Sequence, residues 1–130
     1  MSFQTTNTAI RSLFENGWGE STPVDYGDDE SFTKPQTAWL EFKILNNTER
    51  RAALSEEYFL ALGIVVIKIF TPQFQTDAER MLLVDQASTI FRSKVASGIR
   101  FYDITPTKSG VRDGWHQINL NVSFEADHFY

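Results

Sequence analysis

The spacing of apolar positions changes along the chain, and each change marks an element. Near the start, Phe3, Asn7, Ile10, Leu13 and Phe14 recur at three- and four-residue intervals. That spacing predicts a helix over residues 3–16, with Gly17 as its C-terminal stop. The next stretch, "WGESTPVDYGDDESFTKPQ", is broken by Pro and Gly and predicts loop, with one short strand around Val24. "TAWLEFKIL" then alternates strictly. Ala38, Leu40, Phe42 and Ile44 fall on one side, and Trp39, Glu41, Lys43 and Leu45 on the other, the pattern of a half-buried strand.

A turn is predicted at Asn46–Asn47, followed by a long extended return. Residues 58–70 are too continuously apolar for an edge position, which predicts a central strand. Ile64, Val66, Ile67 and Ile69 are expected to pack there beneath a second helix. That helix follows Pro72 and opens with Thr76 and Glu79, the T-x-x-E pattern of a capping box. Leu83, Val84, Ala87, Ile90, Phe91 and Val95 make its apolar stripe, and Gly98 is placed to end it. "IRFYDIT" and "WHQINLNVSFEA" close the chain as two strands. In the second, His116, Ile118, Leu120, Val122 and Phe124 share one face, and Gln117, Asn119, Asn121 and Ser123 the other. The order α, β, β, β, α, β, β predicts an α+β fold: an antiparallel or mixed sheet of about four or five strands, with two helices on one face. The polar row on the last strand suits a sheet whose second side meets water or another subunit.

Composition narrows the function more than it alters this outline. A chain of 130 residues most simply forms one domain, and one this long needs no metal or disulfide to fold. It has no cysteine, which excludes disulfides, thiolate metal sites and a Cys nucleophile. The net charge of −5 argues against general nucleic-acid or anionic-membrane binding, both of which need a cationic surface. No segment approaches the ~18 consecutive apolar residues of a membrane span. The N-terminus lacks the basic start and apolar core of a signal peptide. These features predict a protein made in a cytosol and used there or packaged from it.

Candidate chemistry is sparse. The strand-to-helix turn "TPQFQTD" has no Gly-rich phosphate cradle, and Asp77 and Glu79 there suit the positive end of a helix dipole. His116 and His128 form no H-x-x-x-H pair, so neither is expected to hold a metal. The acidic group Asp25, Asp28, Asp29 and Glu30 lacks the spacing of a calcium loop. No G-x-S-x-G surrounds any serine. The expectation is a protein that is not an enzyme and carries no cofactor. Arg50 and Arg51, with Lys108 and Arg112 in the last polar loop, have the charge to touch phosphate, but exposed arginines on loops are usually solvated. Trp39 and Tyr102 exceed what one sheet face is expected to bury, and exposed aromatics of that kind mark protein interfaces. The segments 46–57 and 106–114 carry these cations on polar, loop-like sequence.

The order and spacing of the whole chain resemble the tail terminator-like proteins of long-tailed bacteriophages. The resemblance runs from the helix ending "IRSLFENGW" through "TAWLEFKIL" to "GIVVIKIFTPQFQTDAERMLLVDQASTIF", the most telling stretch, and on to "INLNVSFEAD". No single motif in it is diagnostic. Phe74-Gln75 stands where relatives often carry a Gly, a departure that touches the local loop shape.

The resemblance implies a virion structural protein of the tail's head-proximal end, assembled in the bacterial cytoplasm. Such a protein forms a six-membered ring of itself on the major tail tube protein. It stops tube polymerisation and presents a joining surface to a head-completion or connector protein. DNA passes through the ring without specific binding, and an acidic lumen would avoid trapping its phosphates. Arg50, Arg51, Lys108, Arg112 and Trp39 are then candidates for inter-subunit or tube contact. The alternatives are a neck or head-completion adaptor of the head–tail connector, and a small-ligand-binding or enzymatic α+β domain. The latter would need convergent polar groups in an apolar pocket, and the sequence shows no such set.

Overall fold

The computed structural model describes residues 2–20, 22–27, 32–52, 57–92, 95–96 and 98–130. In chain order these form α1 (Phe3–Trp18), β1 (Val24–Asp25), β2 (Trp39–Arg51), β3 (Tyr58–Pro72), α2 (Asp77–Phe91), β4 (Val95–Ala96), β5 (Ile99–Arg112) and β6 (Trp115–Phe129). The strands make one sheet in the order β1-β2-β3-β6-β5-β4. Only the β1–β2 pairing is parallel. Four long strands and two short edge strands, with both helices against one face, give the expected α+β class.

The apolar run of β3 takes the centre of the sheet because both its neighbours are long and continuous. Trp39↔Phe70 to Arg51↔Phe59 pair on one side, and Tyr58↔Phe129 to Pro72↔Trp115 on the other. Successive side chains alternate between faces. Ala61, Val65, Ile67 and Ile69 therefore reach the core, while Leu60, Leu62, Ile64, Val66 and Phe70 lie half-buried on the face away from the helices. This corrects the expectation for Ile64 and Val66. A continuous apolar run contains both parities, and only every second residue can lie beneath α2. The last strand needs no correction: Ile118, Leu120, Val122 and Phe124 are buried, and the row from Gln117 to Ser123 faces outward.

Helix α1 buries Thr6, Ile10, Phe14 and Trp18 at four-residue intervals and starts from a reciprocal cap between Ser2 and Thr5. It runs past Gly17. A Cβ there would lie 2.9 Å from the Ile90 side chain, so Gly17 permits the close crossing of α1 and α2. The stop is Gly19, at φ 78°. Helix α2 starts at the expected place, with the Thr76 hydroxyl accepting from the Glu79 N–H at 3.2 Å, one of the two bonds of the expected capping box. It ends at Phe91 with Arg92 as its cap, so Val95 belongs to β4 and not to the helical stripe.

Two segments read as loops are ladder. Asn46–Asn47 is a bulge within β2, which continues in register to Arg51. β5 runs through residues 106–112, and the turn to β6 is Asp113–Gly114 alone. Both turn residues have positive φ, 53° and 80°, as a tight two-residue hairpin of primed type requires. Polar side chains do not prevent strand pairing when backbone hydrogen bonds and a good turn supply the ladder.

Candidate functional site

The sheet has two ends with different chemistry. β2 runs 13 residues from Trp39 at one end to Arg51 at the other, about 40 Å at strand rise.

At the Trp39 end, the uncovered face holds a groove of about 800 Å³. Trp39 and Phe70, cross-strand partners, stack with ring centres 4.3 Å apart and form part of its wall with Trp115. Lys34 lies over the Trp39 ring at 5.5 Å, and Phe32 tilts against the same ring at 5.7 Å. Lys34, Lys68 and Arg112 line the groove against one carboxylate, Asp113. In an acidic chain this is a local cationic patch with an aromatic floor. Behind it the β5–β6 hairpin is fastened to α2. The Lys108 ammonium donates to Asp77 at 3.0 Å and holds that carboxyl below its usual range, with Arg80 adding a weaker pull. The Gln73 N–H donates to the Gly114 carbonyl at 2.9 Å, tying the turn after β3 to the hairpin tip.

At the opposite end, α1, β2 and β6 meet in a buried polar row. Thr6 Oγ1 lies 2.9 Å from His128 Nε2, and His128 Nδ1 lies 2.5 Å from Glu49 Oε2. The Tyr130 hydroxyl donates to the same Glu49 oxygen at 2.7 Å. The order hydroxyl, imidazole, carboxylate is that of an activated nucleophile. Access is missing, however: Thr6 is 1% exposed and His128 is fully buried. The row therefore acts as a clasp that satisfies buried polar groups and joins three elements. The His128 hydrogen bond, and secondarily that of Tyr130, keeps the Glu49 carboxyl below its usual range. On the uncovered face at this end, Arg100 bonds Glu125 at 2.7 Å and makes a two-pronged pair with Asp127 at 2.9 and 3.1 Å. The Tyr58 hydroxyl also donates to Asp127, which lies below its usual range through Arg100 first and Tyr58 second.

The residues singled out from the sequence divide between these ends. Trp39, Lys108 and Arg112 gather at the groove end. Arg50 and Arg51 lie at the other, with Arg51 placed 4.8 Å over the Phe59 ring. Trp39 is 5% exposed, a correction to its expected exposure: Phe70, Phe32 and Lys34 cover it within the chain. Tyr102 is exposed as expected, at a bulge of β5. Of the acidic group, residues 28–30 lie outside the described residues, and the Asp25 side chain accepts from the Gly27 N–H. The Thr6–His128–Glu49 row was not visible in the sequence, because 122 residues separate Thr6 from His128 and local spacing carries no sign of their meeting. Lys68 and Trp115 were missed because they lie on different strands and line one groove only through the sheet register. Among the described residues, no group of three or more His, Asp or Glu is placed to hold a metal ion, and no helix is long and apolar enough to cross a membrane.

No family model and no curated protein matches the chain. A solved structure that carries no functional name is similar over 95% of this chain and 96% of its own, with a TM-score of 0.68 and 16% identity. At that identity the likeness shows the fold alone.

Proposed function

We propose that this chain is a virion structural protein of a long-tailed bacteriophage. It caps the tail tube as a ring of identical subunits, ends tube polymerisation and provides the surface on which the head is joined. The observation that carries this reading is the one-sided packing of the sheet. Both helices cover one face, while the apolar row Leu60, Leu62, Ile64 and Val66 lies half-buried on the other with no covering element among the described residues. A face of that kind suits burial against another subunit. The two dissimilar ends add support, since a cap must bind the tube at one end and offer the other end something the tube protein does not. The partners are then the chain itself, the major tail tube protein and a head-completion protein, with DNA passing through the acidic ring unbound. The mechanism is occupation of a growing end, without covalent chemistry or a cofactor.

Electron microscopy of particles assembled without this protein tests the reading. Overlong tails, or tails unattached to filled heads, are the expected result. Tails of normal length with the protein absent from them, and its presence on isolated filled heads, would assign it to the neck as a head-completion adaptor.

A further inference from the structure

The groove at the Trp39 end gathers its chemistry from four separate parts of the chain. Lys34 comes from the segment before β2, Lys68 from β3, Arg112 from β5 and Trp115 from β6. Among the described residues, Lys34, Lys68 and Arg112 make no ion pair with a carboxylate, whereas Arg11, Lys43, Arg80, Arg100 and Lys108 each do. Lys68 is half-buried, and Glu41, opposite it in the ladder, bonds Lys43 at 2.9 Å instead. A cation partly withdrawn from water and left without a counter-charge gains from an anion brought beside it.

The lining defines the class of that anion. Three cations meet one carboxylate, Asp113, so the groove carries a surplus of two positive charges. A phosphate monoester, at about −1.5 to −2 near neutral pH, matches this surplus, whereas a carboxylate or a phosphodiester brings a single charge. The Arg112 guanidinium offers a planar fork of donors for two phosphate oxygens, and the lysines add point charges. The half-buried rings of Phe70 and Trp115 suit a flat apolar body. Trp39, itself buried, stacks on Phe70 with ring centres 4.3 Å apart and holds that ring in place. The volume, about 800 Å³, falls within the roughly 300–1,000 Å³ of small-molecule sites.

We infer that this groove binds a small aromatic phosphate monoester. Arg112, Lys68 and Lys34 hold the phosphate, and Phe70 and Trp115 receive the ring. The site is independent of the assembly proposed above, and either can fail without the other.

Isothermal titration calorimetry with phenyl phosphate, inorganic phosphate and benzoate tests it. Wild type is expected to bind phenyl phosphate at least roughly tenfold more tightly than either of the others. Arg112→Gln and Lys68→Gln should each weaken phenyl phosphate by roughly tenfold. Trp115→Leu should erase the margin over inorganic phosphate while leaving inorganic phosphate bound as before. Arg50→Gln, at the opposite end of the sheet, should change nothing. Urea midpoints confirm folding, and Arg112, an exposed side chain, carries the test if the other groove variants are unstable. Three outcomes would overturn the site: no binding of phenyl phosphate at millimolar concentration, equal affinity for benzoate or inorganic phosphate, or wild-type affinity in Arg112→Gln. A single-stranded oligonucleotide without terminal phosphates should leave phenyl phosphate binding unaltered. Displacement by it would assign the groove to a nucleic-acid strand and overturn the small-molecule reading.

Discussion

Gly63 offers a direct measure of how tightly the sheet centre is packed. It sits in β3 between Asn46 of β2 and Phe124 of β6, with its absent side chain on the helical face. A Cβ built there would lie 2.5 Å from Phe124 Cζ, 2.8 Å from Phe124 Cε1 and 2.8 Å from the Leu45 carbonyl oxygen. All three are below any tolerable contact. The ring could tilt, but it is buried among Phe101 and the core, and the carbonyl belongs to the backbone just before the bulge. Two effects oppose each other in Gly63→Ala. Loss of glycine's unfolded-state freedom favours the variant by about 0.4–1 kcal/mol. Overpacking a filled core costs about 1–3 kcal/mol. Overpacking wins, leaving a net loss of roughly 1–2 kcal/mol, which lowers the urea midpoint by about 0.5–1 M for a protein of this size. The Phe124→Leu background isolates the cause. Without the ring atoms that meet the new methyl group, Gly63→Ala should cost less, although the Leu45 carbonyl keeps the relief partial. An unchanged or higher midpoint for Gly63→Ala, or an equal cost in both backgrounds, would refute this account of Gly63.

Ile67→Ala removes a fully buried side chain beneath the helices and should lower stability by roughly 2–5 kcal/mol by urea titration. Asp77→Asn, at an exposed helix start, should keep both fold and tail complementation; a folded Asp77→Asn protein that fails to complement would give that turn a further role. Glu49 has a carboxyl pKa depressed below its ordinary 4.5, so its contribution is complete above that pH and is lost as pH falls through the depressed folded value. Glu49→Gln should flatten this acid limb of stability measured from pH about 6 to about 3, and an unaltered limb would remove Glu49 from it. Arg50→Glu, on an exposed side chain, should leave the urea midpoint unchanged and reduce head–tail joining in vitro; normal joining would exclude Arg50 from the interface. Arg51→Glu also removes the cation over Phe59 and should cost about 0.5–1 kcal/mol.

Much of the fold was legible because periodicity and capping are local. The alternation from His116 to Phe124 placed β6, and Thr76 with Glu79 placed the start of α2. The unbroken run of β3 identified a central strand but concealed its parity, so Ile64 and Val66 were assigned to the wrong face. The polar segment 106–112 reads as loop because hydropathy does not register a backbone ladder; the positive φ of Asp113 and Gly114 is what makes that ladder possible. The site was less legible. Its cations were found singly, but whether Arg50 and Lys108 share a surface depends on strand register, which sets them at opposite ends. Trp39 was read as exposed because its cover comes from Phe32, Lys34 and Phe70, whose approach no nearby spacing announces.

The strand order also governs how the chain can be made. β6 follows every other element in sequence, yet it lies between β3 and β5 and pairs along the full length of β3. On a ribosome, β2 and β3 can form a hairpin early, but β5 has no long partner until the 15-residue β6 emerges. Until then one flank of β3 is an open edge carrying Val65, Ile67 and Ile69, the kind of edge that recruits foreign strands. Helix α1 shares this delay, since Thr6 meets its partner His128 only once β6 has emerged. Sheet closure and helix docking thus fall into one late, cooperative step dominated by distant contacts, which makes folding slow for the size of the chain. Chains cut short before β6 is complete would lack the centre of the sheet and be prone to aggregate.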